Sequence, residues 1–199
     1  FELMYLSSSH ITNGGFRLYH GSGTYYYQYD ISYTISANIW YHILVTREGS
    51  GTNWTIKFYV NGSLIGTKAS PDYGSGGTNT PVSSSTNIHI GARNHNGSLG
   101  QYWQGKISDV RIYNTAITAE QVKDIYFNQT ILGTEVLHYK FNEKMGTTAF
   151  DSSGNGYNGT LTNGPTYYLS NPYRNYAMSF DGSNDYISIG DISDFEYQK

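Results

Sequence analysis

Apolar and polar positions alternate most cleanly between Asn53 and Val60. Trp54, Ile56, Phe58 and Val60 fall on one side of an extended chain, and Thr55, Lys57 and Tyr59 on the other, which predicts a half-buried strand. Asn61-Gly62 then supplies the two left-handed residues of a type I′ turn, and Ser63-Leu64-Ile65-Gly66 carries the chain back. The run Ile39 to Val45 before it is apolar, aromatic and β-branched, as a strand covered on both faces would be. Three adjacent strands are thus legible at the centre of the chain, with Trp40 and Trp54 expected in the core.

On either side the pattern is that of further strands. Residues 1–36 hold three β-rich runs separated by polar, glycine-containing breaks, which reads as a meander. Its Tyr25-Tyr26-Tyr27 run reads as ordinary sheet residues rather than a stacking platform. Residues 70–86 are too rich in Gly, Ser, Asn and Pro to supply a core, so they predict a long loop for binding or for contact with a neighbouring copy. Short strands are expected at 87–91 and 104–114, the latter placing Asp109 inside a strand with Ile107, Arg111 and Tyr113 on the same face. The one helix begins at the capping box Thr118-Ala119-Glu120-Gln121 and buries Val122, Ile125 and Tyr126. After a connector, Leu137 to Glu143 reads as an alternating strand, residues 151–159 as a polar turn, and 177–180 with 186–189 as a second hairpin.

Composition sharpens this to an all-β protein. Of 199 residues, 23 are Gly and 21 Tyr, and only 14% are charged, which suits pleated strands joined by tight turns. A net charge of -3 without a basic stripe argues against nucleic acid as a partner, and no apolar run is long enough for membrane insertion. With no Cys there is no disulfide framework, and the polar, weakly charged surface fits an extracellular, cell-surface or virion-surface setting. Sequons at Asn53, Asn61, Asn96, Asn128 and Asn158 are what chance gives in such a composition. Phe1 and Lys199 both read as cuts through a longer polypeptide.

Several motifs in family-like order carry a resemblance. WYHILVTREG, IKFYVNGSLIG, IHIGA and GKISDVRIYNTAITAEQVKDIY are similar to the second half of a laminin-G-like domain of the concanavalin A-like lectin/glucanase superfamily. LHYKFNEKMGTTAFDSSGNGYNGTL and AMSFDGSNDYISIG resemble its first half. The resemblance implies an antiparallel β-sandwich jelly roll with the halves in reversed order. Residues 1–129 would end one module and 137–199 begin the next, with 130–136 as connector in a tandem array; alternatively residues 1–199 form one circularly permuted domain.

The resemblance also implies chemistry. A structural calcium ion in related jelly rolls sits near the DSSGNG turn, which carries over to Asp151, Asn155, Glu143 and Asp109; otherwise Asp151-Ser152-Ser153-Gly154 is a plain Asx-type turn. His89 and His95 lack a second ligand at a metal-setting spacing. The carboxylates at alternate strand positions that glycoside hydrolases of the superfamily use are missing, and the acidic cluster Asp191 to Glu196 has the wrong spacing, so catalysis is not expected. Loop aromatics Tyr73, Tyr102, Trp103 and Tyr157 are the candidates for stacking on a sugar, or equally for closing the edge of the sandwich. The expectation is a non-catalytic carbohydrate-binding or adhesion module whose partners are a glycan or cell-surface polysaccharide and neighbouring copies of the module. The alternative is a structural subunit of a fibre, extracellular filament or phage tail appendage.

Overall fold

The computed structural model describes residues 2–11, 13–22, 25–50, 53–74, 87–95, 97–169, 176–190 and 192. The chain divides into two compact units, one of residues 1–83, 115–131 and 197–199, the other of residues 84–114 and 132–196. Both are antiparallel and all-β apart from one helix, in line with the expected fold class.

The first unit contains β1 (Glu2–Leu6), β2 (Gly15–Ser22), β3 (Tyr25–Ser32), β4 (Ile43–Ser50), β5 (Asn53–Val60), β6 (Ser63–Lys68), β7 (Tyr73–Gly74) and helix α1 (Ala119–Asn128). One sheet runs β1-β2-β3-β7, the predicted meander, and the other β4-β5-β6. Phe16 and Leu18 of β2, Tyr27 and Tyr29 of β3, and Ile56, Phe58 and Val60 of β5 form their shared core. The alternation read along Asn53 to Val60 holds until Tyr59, where a register shift between Phe58 and Tyr59 buries the next residue as well. Asn61 (φ 49°) and Gly62 (φ 78°) are both left-handed, so the hairpin turn is as expected.

The strand before it differs. β4 starts at Ile43 rather than Ile39, and Ile39 is 60% exposed. His42 is taken up by the hairpin turn instead: its N–H donates to Asn61 Oδ1 (2.9 Å) and its carbonyl accepts from Asn61 N (2.8 Å). Trp54 is buried as expected, whereas Trp40 is only half-buried. Helix α1 is capped reciprocally by Thr118 and Gln121 and buries Val122 and Ile125. Within the loop 70–86, residues 75–86 lie outside the described residues, as do the side chains of Tyr25 and Tyr26.

The second unit contains β8 (Ile88–Ile90), β9 (Arg93–His95), β10 (Ser98–Gly100), β11 (Gln104–Ile107), β12 (Val110–Tyr113), β13 (Glu135–Tyr139), β14 (Thr148–Ala149), β15 (Gly159–Thr162), β16 (Thr166–Tyr168), β17 (Ala177–Asp181) and β18 (Tyr186–Ile189). Its sheets run β14-β15-β18-β8, β11-β17-β16 and β12-β13, with a β9-β10 ribbon. Strands on the two sides of the connector therefore pair within this chain: β8 with β18, β11 with β17, and β12 with β13. Their core gathers Leu137, Tyr139, Phe141, Met178, Phe180, Ile187 and Ile189.

Three predicted elements are reshaped here. Residues 104–114 are two strands, broken at Asp109, whose φ of 52° is left-handed; β11 joins one sheet and β12 another. Asp109 thus sits at a corner rather than inside a strand. The strand expected at 137–143 runs from Glu135 to Tyr139 with all five residues buried, and left-handed Phe141 and Lys144 end it. β17 and β18 do not form a hairpin. They lie in different sheets, and the corner between them is held by buried Asp185, whose Oδ2 accepts from Asp181 N (3.1 Å).

Candidate functional site

The chemistry-bearing residues of the second unit meet around β12 and β13. The break at Asp109 turns its carboxylate onto the β12-β13 ribbon, where Arg111 and His138 stand in register. Asp109 Oδ1 accepts from Arg111 Nε (3.0 Å) and His138 Nε2 (2.8 Å). Side-chain exposure of 7% for Arg111, 11% for Asp109 and 3% for His138 puts the group largely beyond water. Glu135 extends it: its Oε1 accepts from Leu132 N (3.0 Å) and Tyr113 Oη (3.3 Å) and lies 3.9 Å from Arg111 Nη1. Burial would push the Glu135 carboxyl up, but backbone N–H groups and the Arg111 charge outweigh it and hold the carboxyl below its usual range.

Of the residues carried over for calcium, Asp109 belongs to this group, Asp151 and Asn155 bond to the β13 backbone beside it, and Glu143 follows β13 and bonds to Phe150. Asp151 Oδ1 accepts from the N–H groups of His138 and Ser153 (both 2.9 Å), and Oδ2 accepts from Tyr157 N (3.1 Å) and lies 2.7 Å from Ser153 Oγ. Its carboxyl too is held low, burial being outweighed by these hydrogen bonds. Asn155 turns its amide nitrogen toward the carbonyls of Val136 (2.9 Å) and Glu135 (3.3 Å). Glu143 Oε1 accepts from Phe150 N (2.7 Å), and its buried Oε2 has no hydrogen-bond partner among the described residues. A hard divalent cation needs several converging oxygens. Here both oxygens of Asp151 and one of Asp109 are committed to protein donors, and no group of three or more acidic or His side chains able to hold a metal occurs among the described residues. The four residues do not fit a calcium ion in this arrangement.

The four aromatic candidates are placed differently. Tyr73 belongs to the first unit, on the short edge strand β7, and is 53% exposed. Tyr157 is half-buried: its ring packs against the core of the second unit, its carbonyl accepts from Tyr139 Oη, and its N–H serves Asp151, so it closes the turn. Tyr102 and Trp103 lie together between β10 and β11. Tyr102 is half-buried, while Trp103 is 37% exposed with its backbone N–H tied to Gly91 O (2.7 Å). The indole lies over Gly105, where an added Cβ would come within 3.2 Å of Trp103 Nε1. His89 sits on β8 against Tyr186, with its pKa lowered by burial, and His95 ends β9. The acidic run 191–196 lies outside the described residues except for Ile192.

Sequence reasoning missed Arg111, Glu135 and His138. The available signal was a polar position, His138, flanked by Val136, Leu137 and Tyr139 at the start of the strand.

A family model described as the concanavalin A-like lectin/glucanases superfamily, Laminin_G_3, matches residues 2–123. The chain belongs to this superfamily. The laminin-G-like match spans β1 through β12 and the first half of α1, and it leaves out the strands after the connector. No curated protein and no solved structure matches the chain. Laminin-G-like domains are often carbohydrate-binding or adhesive and are generally non-catalytic, although the superfamily also includes glycosidases. No helix among the described residues is long and apolar enough to cross a membrane.

Proposed function

We propose that the chain is a non-catalytic carbohydrate-binding module, serving adhesion as part of a larger cell-surface or virion-surface protein. The observation that carries this reading is Trp103, an exposed indole whose backbone is fastened to Gly91 and whose ring rests on a glycine. A ring held in one orientation loses little entropy when a pyranose stacks on it, which is what a recognition site needs. Tyr102 beside it supplies a hydroxyl, and Arg93, on β9 and hydrogen-bonded to Gln101, the loop residue before Tyr102, a cationic donor for sugar oxygens.

Glycoside hydrolysis asks for two facing carboxyl groups about 5 to 10 Å apart with room for substrate between them. Asp109, Glu135 and Asp151 are instead held in ion pairs and turn hydrogen bonds, the geometry of structural acids. The test is a glycan array probed with the wild-type chain and with Trp103→Ala. Binding to a defined glycan class, lost in the variant while its melting temperature stays put, supports the reading. Equal binding by the variant overturns the site. A blank array together with concentration-dependent self-association points to the structural subunit of a fibre or filament instead.

A further inference from the structure

We propose that the acidic cluster of the second unit is neutralised from within, Arg111 and His138 standing where a calcium ion would otherwise act, so that the turn at residues 151–157 is built and kept without metal. The inference is independent of the Trp103 site.

A bound divalent cation draws carboxylate and carbonyl oxygens toward one centre. In this chain Asp109 Oδ1, the oxygens of Asp151 and the turn carbonyls are drawn to protein donors, and among the described residues only the buried Glu143 Oε2 is left over. Asp109 Oδ1 carries a guanidinium at 3.0 Å and an imidazole at 2.8 Å on a single atom, and a second cation at that oxygen would be repelled by Arg111. The carbonyls of Glu135 and Val136, which a turn-bound ion would recruit, receive the amide of Asn155. Asp151 accepts three backbone N–H groups in addition to the hydroxyl of Ser153, the pattern of an Asx turn closed on itself.

One cation also reaches both acids of the corner. Asp109 pairs with Arg111 at a corner where β12 leaves for its own ribbon, and Glu135 approaches the same guanidinium from β13, so one buried cation holds two strands and two acids. A guanidinium suits this role because its nitrogens lie in one plane and stay charged at every accessible pH.

The experiment melts the full chain in EGTA and in millimolar CaCl2, followed by calorimetric titration with CaCl2, for the wild type and for Arg111→Gln. Coincident wild-type melting curves and no saturable heat are expected, together with a fall of several degrees for Arg111→Gln in EGTA, because the variant takes the guanidinium away from two buried carboxylates. A saturable calcium isotherm or a calcium-raised melting temperature in the wild type overturns the inference. So does an Arg111→Gln melt in EGTA that matches the wild type. Should that variant not fold, the wild-type comparison in the two buffers still decides.

Discussion

Arg111 stands directly opposite His138 across the β12-β13 pair, so two side chains able to carry positive charge share one cross-strand position. Such a pairing is unfavourable on its own and is made favourable by the carboxylate of Asp109, which takes a hydrogen bond from each. Asp109 reaches them only because its left-handed backbone turns the chain between β11 and β12. Charge and backbone geometry are thus required of the same residue.

The two requirements separate by substitution. Asp109→Ala removes the nearer acceptor and leaves the buried Arg111 with Glu135, 3.9 Å away, as its remaining carboxylate, which costs roughly 3 kcal/mol. Asp109→Asn keeps one acceptor oxygen and a residue tolerant of the left-handed region, so its cost is smaller. Urea unfolding of both variants checks the order; Ala at least as stable as Asn contradicts it.

Acid stability follows from the two lowered carboxyls. Glu135 and Asp151 bind a proton less readily folded than unfolded, so their contribution is present above the unfolded values near 4.5 and 3.8 and is lost as pH falls through the still lower folded ones. Melting temperature is expected to hold level from neutral pH to about 5 and then fall steeply below about 4. A scan of Glu135→Gln beside the wild type tests this: the variant is less stable at neutral pH, and its acid slope is shallower.

How much of this was legible in the chain depends on the range of the interaction. The hairpin at Asn61-Gly62 and the helix start at Thr118 were readable because the deciding contacts lie within a few residues: two left-handed angles in one case, a Thr–Gln exchange in the other. The break at Asp109 was not, since alternation continues through it and only the different partners of β11 and β12 reveal it. β17 and β18 mislead for the same reason. They flank a short polar turn, yet each finds better company in another sheet. Asp109 and Asp151 are far apart in sequence and both bond to β13, but the partners Arg111 and His138 come from separate strands, and no local pattern joins those.

Gly159 gives a test of packing on the core side of the same turn. A Cβ there would come within 2.5 Å of Ile187 Cγ2 and 2.9 Å of Tyr139 Oη, both on buried side chains. Tyr139 is further fixed by donating to the Tyr157 carbonyl. Gly159→Ala is expected to destabilise by about 1–3 kcal/mol through overpacking. Gly154→Ala is a different case: open space surrounds it, and its penalty comes from a φ of 95° alone. Comparing the two by denaturant unfolding separates crowding from backbone strain, and a Gly159→Ala protein as stable as wild type contradicts the packing described.

The pairing across the connector leads to the strongest test of the architecture. Residues 132–196 share their core with Ile88, Ile90, Ile107, Val110 and Ile112, all supplied by the segment before α1. Cutting between Ile131 and Leu132 breaks no strand, but it leaves β13, β17 and β18 without β12, β11 and β8. Expressed alone, residues 132–199 should therefore lack cooperative unfolding, since the surface those strands bury would face water. Mixed with residues 1–131, they should form a one-to-one complex that co-elutes on gel filtration and regains a cooperative melt. Independent folding of 132–199 would mean that those three pairings are dispensable, and that these residues complete themselves without the first segment.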